Sequence, residues 1–190
     1  ISTFSGQVLL TSDIAATLAT NGTPTNITIA SPGQTARLSF TGTAGKDWVL
    51  NFSALTLTGT SPYLSYSVKK PDGSALTSGT CYATGSGCSG ASYSLATSGT
   101  YTIEVKPYPD GSTGSFTVKS WESSRVTGAL TVGASSAVAS TVPGQMVQYT
   151  FSGTAAQQLG LTLSSFTTSV TGATLNVVVL KPDNSTLASN

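Results

Sequence analysis

The sequence predicts an all-β fold of tandem antiparallel β-sandwich domains, Ig-like or jelly-roll-like in kind. Three observations carry this. Apolar and polar residues alternate through much of the chain with a period of two, which is the period of a half-buried strand. Turn signatures such as Pro71-Asp72-Gly73 and Pro109-Asp110-Gly111 recur at short intervals, and no capped stretch carries a 3.6-residue apolar period. Finally, Pro32–Leu76 returns as Pro143–Leu187 at a constant offset of 111 residues, with 18 identities in 45 positions. That period suits whole domains, because solenoid repeats run to roughly 20–50 residues.

Taken in order, residues 1–20 read as the end of a preceding repeat and a linker strand, since Gly6–Ser12 matches Gly114–Ser120 in position and character. Residues 21–120 read as one complete sandwich. Ala36, Leu38 and Phe40 alternate with Arg37, Ser39 and Thr41, and Trp48, Leu50 and Phe52 continue the pattern after the Gly42–Gly45 turn. Leu64, Tyr66 and Val68 form another inward set, Tyr93 and Leu95 a weaker one, and Tyr101, Ile103 and Val105 a third. Phe116 and Val118 supply the closing strand.

Residues 121–127 read as a linker and 128–190 as a second repeat, with strands expected at Val147–Phe151, Leu159–Leu163 and Leu175–Val179. That repeat is incomplete at its C-terminal end, where counterparts of Tyr101–Val105 and Phe116–Val118 are missing. A sandwich without them exposes apolar surface and an unpaired edge. The expectation is that the chain continues beyond Asn190 or that another segment completes the domain.

The series Pro-Gly-Gln, Phe-x-Gly-Thr-Ala and Lys-Pro-Asp, followed by Gly99-Thr100-Tyr101-Thr102-Ile103-Glu104-Val105, resembles bacterial pre-peptidase C-terminal-type β-sandwich repeats. It is similar to tandem copies in large exported proteins, including RHS/YD-repeat-associated ones. The resemblance spans most of residues 22–120 and the incomplete copy from 128. It implies non-catalytic appendages, spacers or binding modules, and brings no catalytic residue with it.

Composition narrows the function further. Only 8% of residues are charged, against about 25% in an average chain. A net charge of +1 makes no electrostatic case for nucleic acid. No apolar run approaches the ~20 residues of a membrane helix, so no membrane insertion is expected within this segment. Cys81 and Cys88 enclose six residues, Tyr-Ala-Thr-Gly-Ser-Gly, flexible enough to close a small loop. A disulfide there implies an oxidising compartment; two reduced surface thiols are the alternative.

Catalytic constellations are poorly supplied. There is no histidine, which removes the Ser-His-acid arrangement, and the seven carboxylates form no recognisable pair. Asp72, Asp110 and Asp183 are the calcium candidates, but each lies in a turn motif where the aspartate can bond its own backbone, and the turn reading outweighs the metal. No cofactor is expected. Trp121 and Tyr108 are the candidates for stacking on a sugar, with Trp121 more readily sealing a joint between domains. Asn21, Asn26, Asn51 and Asn184 open Asn-x-Ser/Thr sequons, which arise easily in a chain this rich in Ser and Thr.

The expected role is therefore a non-catalytic extracellular or cell-surface structural segment of a stalk, fibre or surface layer. Its partners would be neighbouring repeats or copies of itself. The alternatives are an adhesin module for a glycan or cell-surface protein, and an accessory domain of a secreted peptidase or toxin.

Overall fold

The computed structural model describes residues 10–83, 87–90, 92–168 and 175–189. Most of the Gly6–Ser12 match and the centre of the Cys81–Cys88 loop lie outside them. The described residues contain strands and turns and no helix. They divide into two compact units, the first running to Ser152 and the second from Gly153 to Asn190.

The first unit holds two five-stranded sheets. One is ordered β1 (Ile14–Thr17), β3 (Ala36–Gly42), β9 (Gly99–Tyr108), β5 (Tyr63–Lys69), β6 (Ala75–Tyr82). The other runs β2 (Thr25–Ile29), β10 (Gly114–Ser123), β4 (Asp47–Leu57), β7 (Cys88–Ser89), with β8 (Tyr93–Ser94) also on β4. Most pairs are antiparallel, as the tight turns require. The exception is β1, which lies parallel to β3 and in register from Ile14↔Ala36 to Thr17↔Ser39. The chain crosses to the other sheet through β2 before returning, and parallel neighbours need such a crossover. Residues 14–17 thus form an edge of this sandwich.

The two-residue alternation decides what lies between the sheets. Leu38, Phe40, Tyr101, Ile103 and Val105 are fully buried on one side, with Leu50, Phe52, Phe116 and Val118 facing them. Phe40 sits between two rings, stacked on Trp48 at 4.5 Å and on Tyr101 at 5.0 Å. Each such side chain contributes about 1.5–3 kcal/mol through burial. Positions between them face out, as Arg37, Thr102 and Lys106 do.

Cys81 and Cys88 form a disulfide. Its placement explains its use: β6 is the edge of one sheet and β7 the edge of the other, so the bond staples the two layers at their open side. A short loop of this kind is worth about 2–3 kcal/mol. Reduction should lower the urea midpoint of the first unit accordingly, and a Cys81→Ser/Cys88→Ser double variant should no longer respond to reductant.

Beyond β10, β11 (Val126–Ala129) lies parallel to β12 (Val147–Thr150), in the manner of β1 and β3. In the second unit β13 (Val178–Leu180) and β14 (Thr186–Ser189) form a hairpin. The strand expected at Leu159–Leu163 is not formed, and Leu175–Val177 lies outside β13. A strand is held by its neighbour's hydrogen bonds, and residues 158–168 have no counterpart of β10 beside them among the described residues. Alternation alone does not make a strand.

Candidate functional site: the joint after the first sandwich

Asp47 opens β4 with its side chain 1% exposed, although a lone buried carboxylate is costly. Its partner comes from 78 residues away. Arg125 donates from Nη2 to Asp47 Oδ1 at 2.9 Å and from Nε to Oδ2 at 3.2 Å, a bidentate fork that matches the carboxylate plane. Ser94 Oγ donates a third bond to Oδ1 at 3.0 Å. The carboxylate holds the Arg125 guanidinium above its ordinary range. The remaining nitrogen, Nη1, donates to Gln148 Oε1 on β12 at 2.8 Å. One side chain therefore links the first sandwich to the pair of strands that follows it.

Backbone and packing close the same joint. Lys46 Nζ donates to Ser124 Oγ at 2.5 Å, and Ser92 Oγ donates to the Gly144 carbonyl. Gly144 has φ +72, and a Cβ there would lie 2.6 Å from Val49 Cγ1. Only glycine allows both the left-handed turn and the close approach to β4.

Gln145 acts as a clasp. Its Oε1 accepts from Thr141 N at 2.9 Å and its Nε2 donates to the Ser124 carbonyl at 2.8 Å, tying the turn before β12 to the residue leading into β11. Gln34 does the same work at the front of the chain. Its Oε1 accepts from Ala30 N and Ser31 N at 2.8 and 2.9 Å, and its Nε2 donates to the Ser12 carbonyl at 3.0 Å. Each bond adds about 1 kcal/mol net. Gln34→Ala should therefore cost about 1–2 kcal/mol in urea unfolding of the first unit, and Gln145→Ala should loosen β11 and β12, read as faster amide exchange at Val126 and Leu130.

Trp121 lies near this end, paired with Val49 across the sheet and half-buried. Its indole rests on the backbone at Gly22, where a Cβ would meet Nε1 at 2.2 Å. Tyr108 lies elsewhere, in register with Tyr63 of β5, which in turn faces Tyr82 of β6. Tyr108 stacks on Tyr63 at 4.6 Å and Tyr82 meets Tyr63 at 5.2 Å, so the rings cover one another while the outer two remain 47% and 56% exposed. Desolvation pushes the Tyr63 phenol up from its ordinary range.

Asp72 and Asp183 are occupied by their own turns. Asp72 Oδ1 accepts from Ser74 N and Oγ at 2.9 and 2.7 Å, and Asp183 Oδ1 accepts from Ser185 N and Oγ at 2.9 and 2.6 Å. These bonds hold both carboxyls below their usual range. Asp110 lies in the turn after Tyr108. No three His, Cys, Asp or Glu side chains gather as a metal site among the described residues.

Sequence reasoning missed Asp47 and Arg125: it sought only catalytic pairs among the carboxylates and read 121–127 as a linker. The chain has only two arginines, and each meets an aspartate: Arg37 the exposed Asp13, and Arg125 the buried Asp47.

No family model matches the chain, and no curated protein matches it. Among solved structures, the pre-peptidase C-terminal domain of a collagenase from Bacillus anthracis is similar at 13% identity and a TM-score of 0.40, covering 60% of this chain and 99% of that one. The periplasmic lysozyme inhibitor PliG from Aeromonas hydrophila is similar at 14% identity and a TM-score of 0.36, covering 59% and 100%. The disulfide fits a non-cytoplasmic location, and no helix of the described residues is long and apolar enough to cross a membrane.

Proposed function

We propose that the chain is a non-catalytic extracellular structural segment, built of tandem copies of one β-sandwich repeat and joined copy to copy through the Asp47–Arg125 joint. The observation that carries this reading is the recurrence of backbone detail at one offset. Left-handed φ values fall at Gly22, Gly33, Gly45, Ala54 and Gly73, and again 111 residues on at Gly133, Gly144, Ala156, Ser165 and Asn184. For Ala54 and Ser165 this conformation is disfavoured, so its return at the same step supports a common template. Bonds recur at the same step as well: Lys70 N donates to the Ser74 carbonyl at 2.8 Å, and Lys181 N to the Ser185 carbonyl at 2.8 Å. In the first copy the matched residues build turns, a clasp and core, which supports a structural role.

On this reading the protein spaces or displays other parts of an exported polypeptide, with neighbouring repeats as partners. An antibody raised against the first sandwich should stain intact producing cells or secreted material, and Cys81 and Cys88 should resist alkylation until reduced. A cytosolic protein with two reactive thiols would overturn the proposal. The exposed outer faces of Tyr82 and Tyr108 favour a second reading, an adhesin module that stacks on a glycan. Glycan-array binding lost in a folded Tyr108→Ala variant would select it.

A further inference from the structure

The second unit contains an apolar cleft of about 270 Å³ lined by Leu161, Leu163, Val177, Val179, Ala188 and Ser189. Leu161 and Leu163 are more than half exposed, at 54% and 56%. At the offset of 111 residues their counterparts are Leu50 and Phe52, which are 2% and 1% exposed, and Val179 answers to the fully buried Val68. The first sandwich shows what covers those positions. Ile103 of β9 is the cross-strand partner of Val68, while Val118 of β10 pairs with Phe52 and Phe116 packs edge-on against it at 6.0 Å.

The backbone agrees. β5 is bonded to β6 on one side and β9 on the other, whereas β13 has β14 on one side and no strand on the other among the described residues. The cleft therefore has the character of a sandwich interior without its filling.

We propose that this cleft is an acceptor for an antiparallel strand pair of the β9–β10 type. The first strand would carry alternating residues like Tyr101, Ile103 and Val105 to pair beside β13. The second would carry residues like Phe116 and Val118 to pair beside residues 159–163. The occupant is a strand pair of the same repeat, added by hydrogen bonding to an open edge with its apolar side chains seated in the cleft. This rests on the tandem-repeat reading.

Because Asn190 corresponds to Gly79, the test appends the sequence of residues 80–123 after Asn190, in register with the repeat. Amides of Val178–Leu180 should gain at least about 100-fold protection from hydrogen exchange, as expected when an edge becomes an interior strand. Leu161→Asp in the extended chain should abolish the gain while the first sandwich stays folded. A separate peptide of residues 99–123, added to the unextended chain, should give a weaker gain of the same kind. Two results would overturn the proposal. One is an extended chain and a peptide mixture that both leave β13 unprotected beside an intact first sandwich. The other is protection that rises with concentration of the unextended chain alone, which assigns the cleft to a second copy. Surface location of the protein is unaffected by either result, so failure here is distinguishable from failure of the structural reading.

Discussion

Replacing Arg125 with alanine should destabilise the first unit by about 2–4 kcal/mol, the range expected when one partner of a largely buried ion pair is removed. The lower end allows for Arg125 itself being 32% exposed, so that water reaches one side of the pair. The cost arises at Asp47, which stays buried with only the Ser94 hydroxyl to answer it. Asp47→Asn should cost less, about 1 kcal/mol, because the amide still accepts a bond and Arg125 can turn to solvent. Urea unfolding followed by the fluorescence of Trp48, which is 1% exposed, reads both variants. Combining Arg125→Ala with Asp47→Asn should recover part of the loss, since the stranded charge has gone. A double variant as unstable as the sum of the singles would place the effect outside the pair.

The same pair marks the limit of what the sequence disclosed. Alternation in Ala36–Phe40 and Tyr101–Val105 announces strands, because each second residue must meet the opposite sheet, and the structure buries those residues. Pro71-Asp72-Gly73 announces a turn, because the Asp72 bond to Ser74 and the left-handed φ of Gly73 are both local. Asp47 and Arg125 meet across 78 residues, and no local rule couples them. Gln34 and Gln145 were visible as identities, but their clasps depend on where residues 12 and 124 run, which only the crossover topology determines. The parallel strand β1 was equally hidden: Ile14-Ala15-Ala16-Thr17 is short, and its half-buried edge position leaves a faint pattern.

Asp13 and Arg125 have similar neighbours and different partners. Both stand just after the residue held by a glutamine clasp, at Ser12 and Ser124. Asp13 answers Arg37 of its own sandwich at 2.6 Å, in an exposed chain that continues through Glu104 to Lys106. Arg125 instead reaches back to the buried Asp47. The charges at the two places are opposite: Asp13 holds a surface pair, whereas Arg125 ties β12 to the sandwich through Asp47.

Phe40→Ala should cost about 3–5 kcal/mol, the range for removing a large aromatic from a closed core. Phe40 is fully buried and stacked between Trp48 and Tyr101, so truncation opens a cavity between two rings held by their own strands. Tyr101 is further anchored by its hydroxyl, which donates to the Thr97 carbonyl at 2.8 Å, and it cannot readily collapse into the space. The same substitution at Phe151, 111 residues on, should cost less, about 1–2 kcal/mol, because that residue is 40% exposed and lies outside the closed core. Identical residues in identical motifs thus differ in worth according to whether a strand like β9 lies over them. Urea midpoints of the two variants, at unchanged slope, check the contrast. Equal losses at Phe40 and Phe151 would mean that Phe151 is already packed in a closed core, contrary to its exposure.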